Sequence, residues 1–328
     1  MQRASWVRFG VILLALLTLA GVVYWAGQGN IQGPIRIGVL QLTDVDTATF
    51  EGFRAGMTEL GYRDGEHITY LHPGPALHTA RLAPMIEALL AAPVDMIFVA
   101  STPATQAVQR ATAGSAMPVV FAPVNDPVKA GVVASIKAPG SNLTGVRLPV
   151  GDALRLEKLL RLLPQIRVIW LPYSAADASA NESLLQAREA AALLQVELRL
   201  QPLHDPGEID AALASIPVDV DAVYLPRDST IEARIDDLVS VARTRRLPLC
   251  APSLTQVEAG ALISYGFVHR EIGRQAARLA DQVLRGIPPG ELPVETAQNY
   301  LAINVQTARE IGVEIPVDML RQADILVR

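Results

Sequence analysis

A chain of 328 residues, half of them hydrophobic and 19% charged, carries enough apolar mass for two domains with their own cores and excludes a disordered protein. A net charge of −5 and a pI near 5.6 argue against binding a phosphate backbone, which calls for a basic face. With Cys250 as the only cysteine, an internal disulfide and a thiolate metal cluster are both excluded.

Arg3 and Arg8 precede an uncharged apolar run over 9–27, and no acidic residue stands before Asp44. This is the pattern of a secretory or membrane-inserting segment. The run is long for a signal core and close to spanning length, and Tyr24 and Trp25 at its far end read as interfacial anchors. With no A-x-A site evident, residues 1–30 are read as an uncleaved N-terminal membrane anchor, a cleaved signal being the alternative. Positive-inside orientation then places everything after Asn30 outside the cytoplasm.

Beyond a linker at 28–34 one grammar repeats: a short apolar strand, then Ser, Thr, Asn or Asp, then an amphipathic helix. Strands are expected at 35–40, 68–71 and 96–100, with helices at 48–60, 79–90 and 103–112. The stretch VVFAPVNDPVKAGVV follows. VVFA reads as a buried strand that Pro123 ends, because proline donates nothing to a sheet ladder. Asp126 before Pro127 reads as an N-cap opening a helix over 128–136. These four units predict one doubly wound lobe.

The grammar restarts after Gly151. Helices are expected at 152–163, 181–194, 206–215, 231–244 and 270–285, and strands at 168–171, 196–201, 222–225, 247–251 and 261–265. The tail carries a strand over 301–304, a helix over 306–311 closed by Gly312, and a last short helix after Pro316. The result is two α/β lobes of like construction.

Most strands are followed by small polar side chains, which places them at the sheet edge where open α/β folds bind ligands. With the lobes facing each other, Asp126 and Asp228 could pair with an ammonium group. Hydroxyls and backbone N–H groups near Ser101, Thr102 and Ser174 could hold a carboxylate. Taken singly, each such residue reads first as an ordinary N-cap; the weight lies in the recurrence on one edge of both lobes. Nucleotide-loop, nucleophile-elbow and zinc-protease motifs are absent from the sequence. His67, His72 and His78 are spaced wrongly for one helical face and read as loop histidines, not metal ligands. His269 reads as a helix start, and Cys250 as a small core hydrophobe.

The segments IGVLQLTDVDTATFEGFRAGMTELGY, FVASTPATQAV, DPVKAGVV, NLTGV, YLPRDSTI and INVQTAREIGVEIP together resemble the substrate-binding proteins of ABC importers, in particular the tryptophan- and tyrosine-binding group. The resemblance covers about 35–327. It implies a type I periplasmic binding protein fold: two Rossmann-like doubly wound lobes with a ligand cleft between them, joined by three crossings. One lobe would comprise 34–146 plus about 266–290, the other 147–265 plus about 291–328. It also implies a small polar, amino-acid-like ligand held by lobe closure, no cofactor and no catalysis. The partners would be ABC permease subunits in the inner membrane and no nucleic acid, with the chain itself a monomer. Carried over residue by residue, the ligand contacts are Gln41, Asp44, Ser101, Thr102, Asn125, Asp126, Tyr173, Ser174, Asp228 and Ser229. Two departures bear on the ligand. Asp44 and Val45 stand where a His-Pro pair is usual, and Ser229 stands where Asn is usual. The family's lipid-bearing cysteine is also missing, in keeping with a helical anchor. An anchored sensor that signals to a partner is the alternative function; an α/β enzyme is a third class, for which no catalytic set emerges.

Overall fold

The computed structural model describes residues 34–328; the anchor expected over 1–30 lies outside them. Among the described residues no helix is long and apolar enough to cross a membrane.

The first half alternates strand and helix: β1 (Ile35–Leu40), α1 (Asp46–Glu59), β2 (Ile68–Leu71), α2 (Leu82–Ala91), β3 (Met96–Val99), α3 (Thr102–Thr112), β4 (Val119–Val124) and β5 (Leu143–Arg147). The second half does the same: α4 (Asp152–Leu162), β6 (Val168–Ser174), α5 (Ala178–Leu194), β7 (Glu197–Leu203), α6 (Ile209–Ala214), β8 (Ala222–Tyr224), α7 (Ser229–Glu232), α8 (Ile235–Thr244), β9 (Leu249–Ser253), α9 (Leu254–Ala259) and β10 (Ile263–Phe267). The chain then returns through α10 (His269–Leu284) and β11 (Glu295–Thr296). It ends in β12 (Tyr300–Asn304), α11 (Val305–Ile311), α12 (Val317–Gln322) and β13 (Ile325–Val327).

These strands form two sheets, ordered β11-β5-β4-β3-β1-β2 and β13-β12-β10-β9-β8-β6-β7. All pairings are parallel except β10 with β12. Parallel sheets need both faces covered, and each sheet here has an apolar cluster on either side. Phe53, Phe98 and Val120 pack with Ile272 and Ala276 on one face of the first sheet, and Ile97, Val99 and Phe121 with Leu89 and Val108 on the other. In the second lobe Leu171 and Tyr224 meet Leu159 and Leu184, while Trp170 and Val223 meet Leu213 and Leu238.

Helix α10 therefore leaves the second sheet but completes the first core. It lies against α1 at backbone contact: a Cβ on Gly52 would stand 2.1 Å from the Arg270 carbonyl oxygen, and one on Gly273 2.0 Å from that of Thr49. The chain passes between lobes after β5, again between β10 and α10, and a third time between β11 and β12. Because β11 pairs with β5 at Glu295 and Thr296, that last passage falls after Thr296, beyond the boundary expected near 290.

Two local expectations fail. β4 runs through Pro123 to Val124, with its register against β5 shifting between Phe121 and Val124. An irregular ladder is where a residue without an N–H is tolerated. No helix forms over 128–136. Asp126 does cap, accepting from the N–H groups of Val128 and Lys129 at 3.2 and 3.1 Å. Gly131, at φ +70°, then folds the chain back so that Val132 N–H donates to the Pro127 carbonyl at 2.8 Å. A central glycine followed by two valines is poor helix material, so the cap ends in a turn.

Candidate functional site

The carboxyl ends of β3, β4 and β8 meet the segments that cross between the lobes. Between them lies a small cavity of about 30 Å3. Its walls include Ser101, Thr102 and Asn125 from the first lobe, and Arg227, Asp228 and Ser229 from the second. Leu148 and Phe267, beside two of the chain passages, also line it.

The loop after β3 is backbone-strained. Ser101 sits at φ +78°, a conformation that costs a non-glycine residue energy and that concentrates at ligand sites. Its Oγ caps α3 by accepting from Ala104 N–H, and its carbonyl accepts from the Thr105 hydroxyl at 2.7 Å. Thr102 Oγ1 accepts the Asn125 N–H at 3.3 Å, tying the β3 and β4 loops together.

Asn125 and Arg227 join the lobes directly. The Asn125 amide donates to the Ser179 carbonyl at 3.1 Å, and its oxygen accepts from Arg227 Nη1 at 2.7 Å. Arg227 also donates to the Pro149 carbonyl at 2.7 Å and grips the Asp152 carboxylate with Nε and Nη2. Asp152 is wholly buried. Burial works against its charge, yet Arg227 and Arg155 hold it below its ordinary pKa, as a desolvated carboxylate between two guanidiniums should be.

Asp228 is 2% exposed and saturated. It accepts from Ser174 N–H at 2.6 Å, Ser174 Oγ at 3.1 Å, and the Thr230 and Ile231 N–H groups at the start of α7. Burial raises its pKa against these bonds. The neighbouring Asp177, the cap of α5, is raised by burial and then by Asp228. Two close buried carboxylates resist carrying charge together.

Three further titratable side chains line the same cavity. Asp46 accepts from Leu42 and Thr43 N–H at 3.0 Å, and burial pushes its pKa up to about 6. His269 Nδ1 meets Thr49 Oγ1 at 2.9 Å, and its Nε2 faces Glu232 Oε1 at 3.2 Å across the lobes. Burial alone would lower the imidazole; Glu232 and Asp46 outweigh it and raise the pKa.

Of the residues expected from sequence, Ser101, Thr102, Asn125, Asp228 and Ser229 line this cavity. Asp126 lines, with Thr102 and Asn125, an adjoining outer chamber. The other four are not brought to it. Asp44 is exposed, and the carboxylate that the first loop turns inward is Asp46. Gln41 is buried with its Oε1 against His72 Nε2. Tyr173 packs beside the second core, and Ser174 stands behind Asp228. Sequence reasoning passed over Asp46, Arg227 and Glu232, and read His269 only as a helix start, which it is, at the first residue of α10. Arg227 lay inside YLPRDSTI, where Asp228 drew the attention, and Asp46 is one more acidic residue at a helix start. Glu232 carried no sequence signal.

Two doubly wound α/β lobes, linked by three passages and meeting at their strand ends around a polar cavity, define a two-lobed solute-binding protein. The profile described as "ABC transporter substrate binding protein" matches residues 36–327, and the chain belongs to that family of binding proteins, not to an enzyme class. A tyrosine-binding protein of Clostridioides difficile is 27% identical over 286 residues, covering 85% of this chain and 81% of the relative. A conserved domain protein from Vibrio cholerae superposes with a TM-score of 0.84 at 26% identity, covering 90% of this chain and 100% of that one. An ABC domain from Streptococcus pneumoniae in complex with L-Trp gives 0.83 at 26% identity, with the same coverage.

Proposed function

We propose that this protein captures an amino-acid-class solute between its lobes outside the cytoplasm and delivers it to an ABC permease for import, tethered to the membrane by its N-terminal segment. One observation carries the reading: polar side chains from the strand ends of both lobes converge on one cavity, with Asn125 and Arg227 bonded across the gap. A ligand that touches both lobes is held fully only when they are together, so its binding energy selects the closed form. The tyrosine-binding relative and the L-Trp complex support an amino acid as the ligand class. The small inner cavity implies that the lobes part to admit it.

The test is a thermal-shift and calorimetric screen of residues 34–328, which contain both cores, against L-tryptophan, L-tyrosine and the other amino acids. Saturation at a hundred times the dissociation constant should stabilise the fold by about 2.7 kcal/mol. A flat response to every amino acid would remove the proposal.

A further inference from the structure

The inner cavity, at about 30 Å3, has room for one or two water molecules. Adjoining it, and sharing Thr102, Asn125 and Ser179 with it, is a chamber of about 340 Å3, within the range of small-molecule sites. The chamber lies between the turn after β4 and the first turns of α5, so each lobe supplies one wall. Lys129 on the first lobe donates through Nζ to both carboxylate oxygens of Glu182 on the second, at 2.8 Å each, and lies 4.0 Å from Asp126. Leu185, 48% exposed, and Ala178 give the chamber an apolar side.

The charged groups around the cleft differ in what it takes to free them. Asp228 has four donors, and Arg227 is bound to a wholly buried carboxylate; releasing either leaves buried groups unsatisfied. The Lys129 side chain is 59% exposed and that of Glu182 14%, with Gln186 Nε2 also donating to Glu182 Oε1 at 3.0 Å; an ion pair open to water on its cationic side exchanges partners more readily than one buried on both sides. The pair also holds opposite charges on opposite lobes, which is the arrangement a dipolar molecule can enter by replacing one ion pair with two.

We propose that Lys129 and Glu182 form the subsite for the charged ends of a zwitterionic solute. The ligand carboxylate binds Lys129, its ammonium binds Glu182 with Asp126 behind, and its side chain lies in the outer chamber against Leu185. The assignment rests on the functional reading above and adds the residues that recognise the amino acid's polar end. Neither residue takes part in the lobe cores, so both can be changed without unfolding the chain.

Calorimetry on residues 34–328 would use four probes: L-tryptophan, L-tyrosine, tryptamine, which lacks the carboxylate, and indole-3-propionate, which lacks the ammonium. Lys129→Met should weaken both amino acids by about tenfold or more and not weaken tryptamine, whose ammonium then meets a Glu182 released from its partner. Glu182→Gln should weaken the amino acids similarly and not weaken indole-3-propionate. Amino acid affinities equal to those of the unaltered protein in both variants would overturn the assignment, as would equal losses for all four probes. If the unaltered protein binds none of the four, the functional reading falls and takes this subsite with it. That result is distinct from normal binding by the parent and by both variants, which removes the subsite alone.

Discussion

Asp46 is a carboxylate held in the wall of the cleft by two backbone N–H groups and, among the described residues, by no ion pair. Its folded-state pKa of about 6 lies above the ordinary 3.8, so the folded chain binds the extra proton and stability falls as pH rises from about 4 to 6. Asp46→Asn keeps an oxygen acceptor and removes the charge. It should therefore raise stability by about 2–3 kcal/mol at pH 7, with the gain fading below about pH 4; denaturant melts at pH 4 and pH 7 check this. Asp228 is a different case. From its place after a strand it reads as a ligand contact, yet its oxygens are taken by Ser174 and the start of α7. Asp228→Ala should lower stability by about 2–4 kcal/mol before any ligand is added, through a lost cap and unsatisfied buried donors. An unchanged melting temperature would return Asp228 to a purely ligand-facing role. Position along the chain told which residues stand at strand ends. It could not tell which carboxylates neighbouring donors had already satisfied, because Ser174 and Asp228 are 54 residues apart.

Among the elements, α1 and α10 carry the sharpest packing constraint. Their axes approach until Gly52 and Gly273 lie on the opposing backbone, so any side chain there must push the helices apart. Gly273→Val should cost about 3 kcal/mol or more and lower the unfolding midpoint in urea, because the added methyl groups have only backbone to displace. Ten of the thirteen strands described and most helices were legible from apolar runs and their punctuation, Gly312 at the end of α11 included, where φ is +77°. The turn after β4 was not. Asp126 and Pro127 are sound helix-opening chemistry, but whether a cap is followed by a helix depends on the residues behind it, and Gly131 with Val132 and Val133 favoured folding back onto Pro127. That turn is what presents Lys129 to Glu182, so the local failure of a helix rule shaped one wall of the cleft. β5 reads as a turn because Asn142, Thr144 and Gly145 are turn residues, and the short strands β11 and β13 left no periodic signal.

For the whole molecule, the lobes are held together by a few polar contacts as well as by the covalent passages. Asn125 reaches Ser179 and Arg227, Lys129 reaches Glu182, and His269 faces Glu232. Removing the first two together, Asn125→Ala with Lys129→Met, should shift the ligand-free protein toward an open arrangement, read as a larger radius of gyration by small-angle scattering. Each lobe's core should stay intact. An unchanged radius would show that these contacts do not set the resting arrangement. The doubly wound architecture was readable because each lobe repeats one grammar; how the lobes meet was not, since it rests on side chains far apart in the chain. The return of α10 to the first lobe has its own consequence during synthesis. Ile272, Ala276, Ala277 and Ala280 are needed to seal the interior begun by Phe50 and Phe53, so the lobe that leaves the ribosome first is finished late. It must wait, partly uncovered, until β6 to β10 of its neighbour's sheet have been translated, and its apolar face stays open to other chains in that interval.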